Sequence, residues 1–204
     1  MAVAPSQLTA VLLTGGRSKR MGQDKAFLPW GPEQSPVWLV QLKKLSALNC
    51  AHLFLSAHSN QRFPSDLLAT FRATLKNDPT PYQGPLGGFF VPPSPFFLPL
   101  AVDMPALPVP VLKHLIDTAD PDRGLVFHEN HLNRYQPFPA VYPASIAKLA
   151  RKNLDRHERS LQKLIKQAVA RHVLHSMPLP PQFARFFKST NFREDLPPET
   201  FFSS

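Results

Sequence analysis

Between Leu12 and Lys25 the chain reads LLTGGRSKRMGQDK. Gly15 and Gly16 let the backbone come close to a ligand and turn N–H groups toward phosphate oxygens. Arg17, Lys19, Arg20 and Lys25 add positive charge within the same stretch. The apolar run just before it, Leu8 to Leu13, is short and branched enough for a buried strand that ends where the glycines begin. Residue types in this order describe a binding loop for a triphosphate. The loop is neither of the commoner phosphate motifs: a GxGxxG pattern needs glycine at position 17, and a P-loop needs a Gly-Lys-Ser/Thr end.

A second chemical residue is Asp103, in Ala101-Val102-Asp103-Met104-Pro105 after the apolar run Phe96 to Val102. A carboxylate at the carboxyl end of such a strand lies where open α/β sheets bind ligands, and it can hold Mg²⁺. Magnesium offsets triphosphate charge and fixes the α-phosphate for in-line attack. Read alone, Asp103 is better taken as a cap for the turn into Met104-Pro105. Asp78, in Asn77-Asp78-Pro79 before Gly84-Pro85-Leu86-Gly87-Gly88, reads on its own as a turn starter, because Asp-Pro often begins one. The histidines are scattered without metal-ligand spacing, and no Ser-His-Asp or Cys-His arrangement is visible.

The elements that must position these residues alternate. Ser35-Pro36 reads as the N-cap and first residue of a helix running through Leu45 and Leu48. A strand over His52 to Ser56, a helix over Ser65 to Phe71 and a short strand ending near Asp78 follow. Beyond Asp103 come a proline-started helix at Pro110 to Ile116 and strands at Gly124 to His128 and Phe138 to Tyr142. Ser160 caps a helix with apolar positions Leu161, Leu164, Ile165 and Ala168. Pro99 inside the Phe96 to Val102 run predicts a bulge or a late strand start, because a central strand needs its N–H donors. The alternation predicts an α/β domain with a mostly parallel sheet and helices on both faces.

With 204 residues the chain suits one such domain. No apolar run is long enough to span a membrane, and Met1-Ala2-Val3-Ala4-Pro5 lacks the blocks of a signal peptide, so a cytoplasmic location is expected. The single cysteine, Cys50, reads as a buried thiol without chemistry. The net charge of +9 favours polyanions. Much of it, from Lys148 to Arg171, is spaced as the outer face of one or two helices, and no specific nucleic-acid motif accompanies it.

The stretch Leu13 to Lys25 resembles the signature LxGGxSxRMGxDK of nucleotidyltransferases with a nucleotide-diphospho-sugar transferase fold, most closely the molybdenum cofactor guanylyltransferases. The resemblance continues through Asp78 and Gly84-Pro85-Leu86-x-Gly88, Arg159-Ser160-Leu161, and Asn191-Phe192-Arg193-Glu194-Asp195-Leu196. It implies a single Rossmann-like three-layer domain, with a glycine-rich nucleotide half over about 1–105 and an acceptor half over about 106–204. It also implies transfer of GMP from Mg-GTP to molybdopterin and leaves room for protein partners in cofactor delivery; the composition itself points to no specific nucleic acid and no membrane.

Carried over by position, Arg20 and Lys25 would stabilise phosphate charge and Asp103 would hold Mg²⁺. Leu13, Thr14, Gly15, Gly16, Ser56 and Asp78 would contact the nucleotide, and Asn191 a phosphate or the pterin, although an asparagine capping the final Glu-Asp helix reads the same. Two departures stand out: Thr14 replaces a small alanine, and Ser56 stands where an asparagine is usual. The alternatives are a relative using CTP or a sugar phosphate, and a nucleotide-binding protein without turnover on the same scaffold.

Overall fold

The computed structural model describes residues 2–14, 24–77 and 92–189. Gly15, Gly16, Arg17, Lys19, Arg20, Asp78, the Gly84 to Gly88 turn and Asn191 lie outside the described residues. The first strand, β1 (Leu8–Leu13), is buried along its whole length, as expected for a mostly apolar run in the interior of a sheet, and Thr9 is buried with it. A two-residue ribbon, β2 (Pro29–Trp30) and β3 (Ser35–Pro36), leads into α1 (Val37–Ser46). Then come β4 (His52–Ala57), α2 (Ser65–Thr70), β5 (Ala73–Asn77), β6 (Phe96–Ala101), α3 (Val109–Thr118), β7 (Leu125–Glu129), β8 (Arg134–Pro143), α4 (Ile146–Asp155), α5 (Leu161–Ala170) and β9 (Ser176–Pro178).

The main sheet has seven strands in the order β5-β4-β1-β6-β8-β7-β9. Every neighbouring pair is parallel except those made by β8, which runs against both β6 and β7. Side chains alternate across the sheet, and the core divides accordingly. Leu98 and Leu100 of β6 pack with Trp38 and Leu42 of α1 and with Leu112 and Leu115 of α3. Phe97, on the opposite face, packs with Tyr142, with Ile146 of α4 and with Leu164 and Ile165 of α5. Helices therefore cover both faces, and the sheet is mostly parallel.

Three local readings of the sequence need correction. The α1 helix starts one residue late, with Pro36 as its N-cap. Ser35 is held extended by its pairing with Trp30, so helical dihedrals begin only beyond the ribbon.

Pro99 produces neither a bulge nor a late start, for it sits within β6 in register with Val11. Val102 N–H donates to Leu13 O (3.0 Å), so donors alternating along the strand direct the Pro99 nitrogen away from β1 toward β8. On that side pairing stops at Phe97↔Tyr142, and no donor is needed.

The third is β8, which begins at Arg134, before the expected Phe138. Its register with β7 jumps from Leu125↔Val141 to Phe127↔Gln136. The bulged residues leave the ladder beside the carboxyl half of β6, and the Tyr142 hydroxyl donates across the bulge to Pro137 O (2.8 Å).

The basic segment divides between α4 and α5. Lys148, Arg151, Lys152, Lys163 and Lys166 are exposed, while Ile146, Ala150, Leu164 and Ile165 are buried. Ser160 caps α5 by accepting from Lys163 N–H (3.3 Å).

Candidate active site

The sheet order reverses at β1: the chain steps outward through β4 and β5, then returns on the other side of β1 as β6. Ligands of open α/β sheets bind at the carboxyl ends of strands flanking such a reversal. Four described candidate residues gather at these ends. Leu13 closes β1, Thr14 follows it, Ser56 lies near the end of β4, and Asp103 stands two residues beyond β6.

Lys25 reaches the same place on a 3-10 turn, Lys25–Phe27, that begins at Asp24. Its Nζ lies 3.8 Å from Asp103 Oδ2, with 22% and 29% of the two side chains exposed. The fold thus brings together a lysine and an aspartate from distant sequence positions and leaves both accessible to a ligand. Burial pushes the Asp103 carboxyl above its ordinary pKa, opposed by the Lys25 ammonium and by the residue's own backbone N–H.

Thr14 and Ser56 are tied to each other. Thr14 N–H donates to Ser56 O (3.0 Å), and the Thr14 hydroxyl lies 2.9 Å from the same oxygen. Both residues are buried.

Residues that the sequence did not single out support this edge. Gln61, on the loop after β4, donates from Nε2 to Thr14 O (3.2 Å) and to Asp24 Oδ2 (2.8 Å). From α1, Gln41 donates to Ala101 O (3.3 Å) and Lys44 to Pro105 O (2.5 Å), holding the segment around Asp103 on both sides. Glutamine in a loop or on a helix carries no periodic signal. Lys44, beside Lys43, looks like half of a solvated lysine pair, yet it is half-buried whereas Lys43 is exposed.

Burial lowers the Lys44 pKa to about 8 from an ordinary value of 10.5. Above about pH 8 the folded chain releases that proton, while an unfolded lysine keeps it to about 10.4. Because the unfolded state then binds more protons, stability rises with pH across this window. In Lys44→Met that contribution is absent, so the wild-type melting temperature minus that of the variant is expected to increase between pH 7.5 and pH 10. A difference that stays flat with pH would rule out a buried, readily deprotonated Lys44.

A single carboxylate is a small donor set for a metal. Among the described residues no group of three or more His, Cys, Asp or Glu side chains could enclose one. Magnesium, however, commonly keeps waters and takes one or two carboxylates together with substrate phosphates. Asp103, part-exposed at a strand end, fits that mode. Cys50 is half-buried, and its thiol is pushed up to about 11 by burial, which leaves it little thiolate at neutral pH. Among the described residues no helix is long and apolar enough to cross a membrane.

A mostly parallel sheet with a lysine and an aspartate paired at its switch point is an α/β fold with charged groups where such sheets take their ligands. Residues 10–173 match the MobA-like NTP transferase domain, and the chain belongs to that family of nucleotidyltransferases. The probable molybdenum cofactor guanylyltransferase of Opitutus terrae is 27% identical over 188 residues, covering 88% of each chain. The molybdenum cofactor guanylyltransferase of Pseudomonas fluorescens is 27% identical over 170 residues, or 80% of this chain and 82% of that one. Among solved structures, molybdopterin-guanine dinucleotide biosynthesis protein A from Archaeoglobus fulgidus shares the fold, with a TM-score of 0.66 at 18% identity over 92% of this chain and 94% of that one.

Proposed function

We infer that this nucleotidyltransferase moves GMP from Mg-GTP to the terminal phosphate of molybdopterin, releasing pyrophosphate. The observation that carries the reading is the approach of Lys25 Nζ to Asp103 Oδ2, 3.8 Å, at the carboxyl edge of the sheet. A lysine and a metal-binding carboxylate side by side suit a polyphosphate that arrives with its cation. The names borne by the relatives, guanylyltransferases of the molybdenum cofactor, support the choice of nucleotide and acceptor.

In the reaction an oxygen of the acceptor phosphate forms a bond to the α-phosphorus. The bond from that phosphorus to the bridging oxygen breaks, and pyrophosphate leaves with the electron pair. The acceptor phosphate is already ionised at neutral pH, so no protein nucleophile is needed, and catalysis rests on alignment and charge stabilisation. Lys25 offsets charge that builds on the leaving pyrophosphate, and Arg20 is assigned the same work. Gly15 and Gly16 are assigned N–H contacts to phosphate, Leu13, Thr14 and Ser56 the nucleotide's surroundings, and Asp78 a further nucleotide contact. Magnesium, when bound with the triphosphate, neutralises its charge and orients the α-phosphate, and Asp103 is the carboxylate that would hold it.

Thermal unfolding with Mg²⁺ and each of GTP, CTP, ATP and UTP tests the reading. A ligand at a hundred times its dissociation constant stabilises a fold by about 2.7 kcal/mol, and we expect a shift with GTP that is lost in Asp103→Ala. A shift with CTP instead would reassign the nucleotide, and no shift with any of the four would leave the scaffold without this function.

A further inference from the structure

The loop that follows β4 grips the turn carrying Lys25 at two places. Gln61 makes the polar contact. It is 6% exposed, and its amide is engaged at both ends. Nε2 donates to Thr14 O (3.2 Å) and Asp24 Oδ2 (2.8 Å). Oε1 accepts from His58 N–H (2.8 Å) and lies 3.0 Å from the Thr14 hydroxyl. Two residues on, Phe63 makes the apolar contact. It stacks on Phe27 with ring centroids 5.3 Å apart and meets Trp38 edge-on at 5.2 Å.

Asp24 passes the polar contact to the site. Its Oδ2 is held by Gln61, while its Oδ1 accepts from Ala26 N–H (3.0 Å) and caps the turn Lys25–Phe27. The chain leaves the described structure after Thr14 and re-enters it at Asp24, and the same amide holds both of these residues. Only an amide fills this position. Two donors must face a carbonyl and a carboxylate while an acceptor faces an N–H. A carboxylate would oppose Asp24, an apolar side chain would leave buried polar atoms unpaired, and asparagine is a methylene too short to span the same points.

We propose that Gln61 is a positioning residue for nucleotidyl transfer: by clamping Thr14 and Asp24 together it fixes the Lys25 turn, and so holds the Lys25 ammonium beside Asp103. The proposal rests on the functional reading above, and it concerns placement, since Gln61 is too buried to take part in the chemistry. Misplacing a charged group by about an ångström costs up to a hundredfold in rate. Gln61→Met, with matching length and no donors, is therefore expected to lower kcat on the order of tenfold or more, with a smaller change in KM for GTP. Gln61→Glu lowers it further by setting two carboxylates against each other. Adding Asp24→Asn to Gln61→Glu recovers only the Asp24 half of the clamp: the new amide at position 24 donates to the new carboxylate at 61 and still accepts from Ala26, while the Thr14 carbonyl is left facing an oxygen.

The decisive measurement needs no turnover. Wild type, Gln61→Met and the paired variant are acetylated without nucleotide by an N-hydroxysuccinimide ester. The rate at Lys25 is then read by peptide mass spectrometry against exposed Lys43 in the same digest. We expect Lys25 labelling to rise several-fold in Gln61→Met and to fall back in the paired variant, with kcat moving in the opposite sense. Unchanged Lys25 labelling overturns the proposal whatever kcat does, as does faster labelling with unchanged kcat in an active enzyme. A wild type that transfers no GMP refutes the functional reading, while the labelling still decides whether Gln61 places Lys25.

Discussion

Lys25→Ala is expected to keep its fold and to lose transfer activity on the order of a hundredfold or more. The magnitude follows from the kind of group removed, since a preorganised cation or donor aimed at charge that develops in the transition state commonly supplies that much. The fold is expected to survive because the ion pair with Asp103 is 3.8 Å long and both side chains still reach solvent, so its loss costs on the order of 1 kcal/mol. Turnover and melting temperature should therefore part company, with kcat falling steeply and the unfolding midpoint moving by a few degrees at most. Lys25→Arg keeps the charge but replaces a compact ammonium with a planar fork, and it is expected to recover only part of the rate. Near-normal turnover by Lys25→Ala, measured as pyrophosphate release from GTP in the presence of acceptor, would end the assignment of this lysine to the reaction.

The largest expected effect on stability is at Gly124, just ahead of β7. Gly124 has a φ of +69°, and a Cβ built there would lie 2.1 Å from the Val141 carbonyl oxygen. Its N–H and carbonyl pair with Asp120 in the bridge that turns the chain into β7, so the backbone is held from the other side as well. Left-handed geometry costs a residue with a Cβ roughly 1–2 kcal/mol, and forcing atoms into a packed interior typically adds about 1–3 kcal/mol. Gly124→Ala should thus lose about 2–5 kcal/mol, which for a chain of this size lowers the melting temperature by on the order of 10 °C. Scanning calorimetry beside wild type checks this. An unchanged midpoint would mean that β7 can move away from β8 at little cost.

The sequence carried the site and its support to different degrees. Lys25 and Asp103 were legible because each has a local signature, a glycine-rich loop ending in Asp-Lys and an apolar run ending in Asp, and the alternation of elements predicted that both would reach one sheet edge. Gln61 was not, because its meaning lies in partners 37 and 47 residues away and a lone loop glutamine looks the same whether it is solvated or buried. Lys44 was hidden in a lysine doublet for the same reason, since helical periodicity marks apolar faces and says little about a long cation whose tip reaches a carbonyl. Pro99 misled because the rule against proline in a central strand assumes a partner on both sides. The early start of β8 escaped notice because its amino end mixes polar residues and prolines and pairs through a bulge, with no clean alternation to read.

The proline and the bulge also give this sheet an edge inside itself. From β5 through β6 the ladders run continuously, so Thr14, Ser56 and Asp103 are spaced by backbone hydrogen bonds. Across the next seam only two residue pairs join the strands, Phe96↔Pro143 and Phe97↔Tyr142, and beyond them Pro99 offers no donor by which the zipper could continue. Around that interior edge the connection passes to side chains, notably Phe138, which packs against all three hydrophobic clusters. Side-chain contacts tolerate substitution and small sliding in a way that a hydrogen-bonded register does not. Substitutions in the β8-β7-β9 panel are therefore expected to leave the spacing of Thr14, Ser56 and Asp103 unchanged.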